Sequence, residues 1–271
     1  MNGALWSFVA RRQALPCALC FLVPTLLGTI LGILYPSYSR ERAALEKLMP
    51  VIRRLFGGDL LDMFSPLGFF NIPFAHPLCM VALSLVVALP TLDLPAGERG
   101  RKGLDLLLST RLERRTLVTT VLWFAAPASL LFSLAPILGI YLGGALSNVL
   151  PDLDFARYLK CSFALFLLAL FLCGLSMLIS VISIDRGAAG RRLAILVVAA
   201  LMLEFAAEVG RHGSYHELTD WLLWFTPFGY YQPSEITAGM AHYARDNCVL
   251  LTGAMVLIGT AVVLEDRRKS V

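Results

Sequence analysis

Charge is what this chain has least of. Asp, Glu, Lys and Arg make up 15% of its 271 residues, where a soluble domain carries about a quarter. Histidine is also scarce, at four residues, and no HExxH pattern is present to hold a catalytic zinc. Six cysteines occur, Cys17, Cys20, Cys79, Cys161, Cys173 and Cys248. All lie in or beside apolar stretches, where neither a disulfide framework nor a zinc site is expected. Cys17-x-x-Cys20 has no second pair and no neighbouring histidine, so both read as small packed residues. Short alternating apolar–polar segments are missing, which excludes a membrane β-barrel. The net charge of +4 sits in loops between apolar blocks and is no nucleic-acid signature.

What is abundant is apolar sequence: 58% of residues are hydrophobic and the mean hydropathy is +0.72. The excess is gathered into six blocks, at about 15–35, 71–93, 117–146, 161–184, 193–210 and 248–264. A helix needs roughly 20 apolar residues to cross the hydrocarbon core. Backbone groups in lipid must be paired within the chain, so each block is expected to be a helix. Glu204 interrupts the fifth block. The expected fold is all-α and integral to the membrane: six transmembrane helices forming one domain over residues 1–271.

Orientation follows from the basic residues. With both termini placed in the cytoplasm, inside segments hold 14 of the 23 Lys/Arg in 52 residues, and outside segments hold 9 in 86. That density ratio obeys the positive-inside bias. The first block is too long for a signal peptide, carries Pro16 and Pro24, and has no small-residue cleavage site before Tyr35.

Local patterns refine this frame. Residues 1–13 place Leu5, Trp6, Phe8 and Val9 beside Arg11 and Arg12, the composition of an interfacial helix on the inner leaflet. Gly28-x-x-x-Gly32 and Gly139-x-x-x-Gly143 allow close helix approach, and should two copies of the chain pair, Gly28 and Gly32 are the expected contact. In residues 36–70, Leu45, Leu48, Met49, Ile52, Leu55 and Phe56 recur at helical spacing with Pro50 dividing them. Helices flat on the outer surface are expected there. Residues 211–247 are aromatic and broken by Pro227 and Pro233, which predicts short helices at the outer interface.

Polar residues inside the blocks are few. Glu204 and Glu208 share a helix face and reach water or a cavity. His76, before Pro77, could hydrogen-bond across helices. His212 and His216 stand one turn apart beside Glu217, a surface arrangement that permits a metal without showing one. Pro90, Pro127 and Pro136 are expected to kink spans.

The second block ends in PAGERGRKGLDLLLSTRLERRT. Leu104, Leu107 and Leu108 share a helix face, with Arg111, Glu113, Arg114 and Arg115 beside it. Two readings are open. The helix docks into a groove on a soluble partner, or it lies on the inner leaflet with leucines in lipid and arginines on anionic headgroups.

HPLCMVALSLVVALPTLDLPAGERGRKGLDLLLSTRLERRTLV resembles the second span and following loop of type-2 ATP-binding-cassette permeases. In that family an HPL-type start is followed by a GE..RGT.(D/E)LLL..P.SR loop. Gly97, Glu98, Gly103, Asp105, Leu106, Leu107 and Leu108 match it, while Lys102-Gly103 and Arg111 stand near a usual Gly-Thr and proline. GGDLLDMFSPLGFF and WFTPFGYYQP are also similar to the family. The resemblance implies the membrane subunit of an ATP-driven transporter, an exporter working by alternating access. It would be paired with a second or homologous permease, bound to cytoplasmic ATPase subunits, and placed in the inner (plasma) membrane among its lipids. The loop would be the coupling helix, with Glu98, Arg101, Leu104, Asp105, Leu107 and Leu108 as ATPase contacts. No GxxxxGK[ST] pattern occurs, so ATP and Mg would belong to the partner; this chain would be no enzyme and would hold no cofactor or metal. The competing readings are a lipid-modifying membrane enzyme, against which Asp93, Glu204 and His76 are too scattered, and a structural subunit of a membrane complex.

Overall fold

The computed structural model describes residues 3–56, 66–101, 114–211, 221–239 and 242–267. Among the described residues the chain is helical, without strands. The longer elements are α1 (Gly3–Phe56), α4 (Pro77–Leu92), α6 (Arg114–Ser147), α7 (Phe155–Ile182), α8 (Arg186–Arg211) and α10 (Tyr243–Arg267). Short helices α2 (Pro66–Phe69), α3 (Ile72–Ala75), α5 (Glu98–Gly100) and α9 (Pro233–Ala238) lie between them. Five stretches are long and apolar enough to cross a bilayer: Gly3–Arg40, Pro77–Gly100, Arg115–Ser147, Phe155–Ile182 and Tyr243–Arg267. The fifth apolar block does form a helix, α8, but its described part is not among these five. Arg186, Arg191 and Arg192 crowd its first turns.

Burial separates inner from outer helices. Two thirds of the most apolar window is buried in Pro77–Gly100 and Phe155–Ile182, against 22% in Gly3–Arg40 and Tyr243–Arg267. α4 and α7 are therefore the centre of the bundle. The main core runs from Phe69, Phe70 and Phe74 through Leu83, Val86 and Phe132 to Leu165, Leu168 and Leu250. On the outside of α1, Leu15, Leu19, Leu22, Leu26, Ile30 and Ile33 form an exposed stripe. Such a length of apolar surface is solvated by lipid and disfavoured in water. The architecture is that of a membrane protein.

Four expectations need correction. Residues 3–13 are not a separate surface helix, because RRQAL contains no breaker and α1 runs through into the span. Leu5, Val9 and Gln13, spaced by four, are buried against the bundle, with Leu94, Leu117, Val121 and Met177 around the two apolar side chains. Trp6 and Phe8 remain exposed on the other side. Residues 36–56 likewise continue α1 past Pro50 as one helix of 54 residues, about 80 Å long at 1.5 Å per residue. Gly28 and Gly32 are consumed inside the chain by α6, whose backbone lies against them. A Cβ on Gly32 would come 2.6 Å from Gly143 Cα, and one on Gly28 would come 2.9 Å from the Ile140 nitrogen. Thr25 Oγ1 to the Ala135 carbonyl at 3.4 Å and Ser147 Oγ to the Gly32 carbonyl at 2.8 Å close the seam.

The fourth correction is His76. A residue preceding proline is disfavoured in helical geometry, and His76 is extended at φ −61°, ψ 133°. It splits the second block into α3 and α4, and its Nδ1 accepts from the Leu78 N–H at 3.2 Å. It is the cap of α4 and, among the described residues, has no bond across helices. The described part of the aromatic segment forms short helices: two 3-10 turns, Trp221–Phe225 and Pro227–Tyr230, precede α9. Tyr231 is buried there and donates to the Phe74 carbonyl at 3.1 Å. Burial, with Cys161, Cys79 and Glu204 nearby, pushes its phenol well above the usual range. Glu204 on α8 is half-buried; His212, His216 and Glu217 lie outside the described residues.

Candidate functional site

Where the second apolar block ends, the chain does not leave the bundle at once. After Leu92 the backbone forms a wide turn over Asp93–Gly97, with Leu94 extended at φ −128°, ψ 129°. This turn and α5 fold back beneath the helices, and residues 93–97 are buried. Gly97 is not there for left-handed backbone, since it is helical. Gly100 is open only as far as Asp185: a Cβ would sit 3.1 Å from that side chain.

Two charged groupings hold this segment. The first centres on Asp93, whose side chain is only 4% exposed. It receives Arg12 Nε at 2.8 Å, Arg186 Nη1 at 3.1 Å, Arg101 Nη2 at 3.6 Å and Gln13 Nε2 at 3.1 Å. Glu98 lies beside it and takes Arg101 at 3.0 Å and Arg12 at 3.4 Å. The acids are sunk into the protein while the three guanidinium groups reach water at their rims. A buried carboxylate is tolerated only when paired and hydrogen-bonded, and three arginines, from α1, from α8 and from the C-terminal cap of α5, supply that.

The second grouping centres on Arg99. Its Nη1 donates to the carbonyls of Ser180, Val181 and Ser183 at 3.2, 3.1 and 2.5 Å. These are at the C-terminus of α7, where the last carbonyls lack helical partners and the helix dipole is negative. Its Nη2 pairs with Glu265 in the last turn of α10 at 2.9 Å, and that carboxylate is fully buried. The Ala96 N–H adds a bond to Ser180 Oγ at 3.2 Å. One turn deeper, the hydroxyls of Thr91 and Ser176 join α4 to α7 at 2.5 Å.

These contacts gather the N-terminal ends of α1 and α8 and the C-terminal ends of α4, α7 and α10 at one end of the bundle. The start of α6 joins them through Leu117 and Val118, clustered with Leu94. Of the residues expected to face an ATPase, Glu98 and Arg101 are here, paired to each other and to the bundle. Leu104, Asp105, Leu107 and Leu108 lie outside the described residues. Sequence reasoning did not single out Arg12, Gln13, Asp93, Arg99, Arg186 or Glu265 for this site. Their shared signal is position, since each stands at the end of an apolar block on the side predicted to be cytoplasmic.

Among the described residues no group of three His, Cys, Asp or Glu side chains is placed to hold a metal ion. A shallow crevice lined by Tyr230, Gln232, Ile236, Tyr243, Asp246 and Asn247 lies at the opposite end. No protein-family model, curated protein or solved structure matches the chain. The fold and site define an all-helical membrane protein with a charged hub at one end.

Proposed function

We propose that this chain is the permease subunit of a type-2 ATP-binding-cassette exporter, with the hub end in the cytoplasm and the loop of residues 96–116 as its coupling segment. The observation that carries the reading is the anchoring of residues 93–101. A force applied to the loop that follows them reaches α1 and α8 through Asp93, and α7 and α10 through Arg99. A transporter driven from outside the membrane needs such a connection, because the nucleotide must favour one arrangement of the helices over another.

The GE…LLL resemblance, the inside bias of basic residues and the alternating direction of six helices support the same assignment. In it, α8 is the fifth of six spans, two permeases pair, and ATP and Mg are held by separate subunits. Glu98 and Arg101 fix the base of the loop, while Leu104, Asp105, Leu107 and Leu108 meet the ATPase. The test is co-purification. The tagged chain, expressed in its native host and extracted in mild detergent, is expected to bring down an ATP-binding-cassette ATPase that hydrolyses ATP. Recovery of the chain with other membrane proteins and no ATPase would favour the structural-subunit reading. Turnover of lipid by the purified chain alone would favour the enzyme.

A further inference from the structure

We propose that Arg99 is the positioning residue through which movement of residues 94–101 reaches α7 and α10, and that the Asp93 cluster holds the same segment to α1 and α8 by contacts that can re-pair as it moves. The inference rests on the transporter reading and goes beyond it by dividing the bundle into two sets of helices with different attachments.

The division follows from burial. The Arg99–Glu265 pair is almost out of water, with side chains 14% and 0% exposed. Drawing the two apart separates opposite charges where little water can take over, which is costly. Arg99 also carries three α7 carbonyls on one nitrogen, and its planar guanidinium fixes direction as well as distance. Separating α5 from α7 would break the three carbonyl bonds together, and separating it from α10 would break the buried ion pair. The pair is thus a pin that stays closed while the segment moves.

Asp93 is attached differently. Its three arginines come from separate elements and keep roughly a third to a half of their side-chain surface in water. Exposed guanidinium groups are screened by salt and lose little on release. Arg12 already divides itself between Asp93 at 2.8 Å and Glu98 at 3.4 Å, and Arg101 does the same at 3.6 and 3.0 Å. Two acids sharing two bases can trade partners without leaving any charge alone. This cluster is a latch: α1 and α8 can change register against the segment, whereas α7 and α10 must travel with it.

The experiment uses the complex recovered by co-purification, in a background without native cysteines. Spin labels are attached through Thr119→Cys with Leu264→Cys (α6 to α10), and through Thr119→Cys with Ala14→Cys (α6 to α1); all three positions are exposed. Distances are measured by double electron–electron resonance without nucleotide and with ATP plus vanadate. In the wild-type background both distances are expected to shift on nucleotide trapping. Glu265→Gln and Arg99→Gln are expected to remove at least half of the 119–264 shift while ATP hydrolysis and the 119–14 shift persist. Arg99→Lys, which keeps the charge but not the fork, is expected to fall between. Glu265→Gln is close to isosteric, so it decides the matter even if Arg99→Gln does not insert. A wild-type-sized 119–264 shift in Glu265→Gln overturns the pin while leaving the transporter reading intact. Absence of an ATPase, or of any wild-type shift, overturns the transporter reading and the pin with it.

Discussion

Gly32 and Gly143 meet backbone to backbone: a methyl group on Gly32 would stand 2.6 Å from the Gly143 Cα. The contact repeats one turn away, where Gly139 lies against the Thr25 carbonyl. This seam fastens α1, an outer helix, to the bundle where apolar attraction is weak, since lipid competes equally for its leucines.

Gly139→Ala is therefore expected to destabilise the chain by about 1–3 kcal/mol, the usual cost of overpacking a tight contact. Gly259→Ala is the control, because nothing lies within 4 Å of a Cβ there. Melting in nanodiscs, followed by fluorescence-detected size exclusion, should show a lowered midpoint for the first variant only. Equal midpoints would deny the seam a structural role. A change of oligomeric state without a change of midpoint would return these glycines to an interface between copies.

Asp93→Asn leaves Arg12, Arg101 and Arg186 without their shared carboxylate. Loss of a partner from a fully buried pair costs about 3–5 kcal/mol; with half-exposed arginines the expected loss is nearer about 1–3 kcal/mol. The difference from wild type should shrink between about 0.05 and about 1 M salt, as the Debye length falls towards about 3 Å. Glu265→Gln, acting on a pair buried from salt, should show a loss that salt leaves unchanged. Identical salt responses in the two variants would contradict the contrast between latch and pin.

Coupling is tested on the loop itself. Truncating a packed leucine costs roughly 2–5 kcal/mol when the contact is fully buried. Leu107→Ala and Glu98→Ala are expected to leave the permease inserted but to separate ATP hydrolysis from transport in vesicles. For Glu98 the structural reason is that Arg12 and Arg101 both lean on its carboxylate. Were the loop merely resting on lipid, Glu98→Ala would have little effect and the leucine change would weaken lipid association. Full coupled transport in both variants would end the assignment.

Topology is tested by cysteine accessibility at positions 109 and 214. An impermeant thiol reagent added outside whole cells is expected to label Ser214→Cys and spare Ser109→Cys. The reverse pattern would invert the protein and place the charged hub outside.

The sequence by itself determined the helices. Apolar length located α4, α6, α7, α8 and α10, with starts up to seven residues from the observed ones, because a helix in lipid is dictated by composition along one segment. The break before Pro77 falls inside the block 71–93 that composition reads as one span, because apolar content does not register the extended backbone that proline imposes on His76. The folding-back of residues 93–101 was less legible, since a charged, glycine-rich stretch reads locally as an exit from the membrane. Only the tertiary structure decided what those charges meet: Gln13 and Arg12 reach Asp93 across some 80 positions, and Arg99 reaches Glu265 across 166. It likewise decided that Gly28 and Gly32 serve α6 and not a second copy. Periodicity and composition report which solvent a residue prefers, and that is a local property. Which helix ends come together is set by packing the whole bundle, and only then does a buried acid find the arginines that make its burial tolerable.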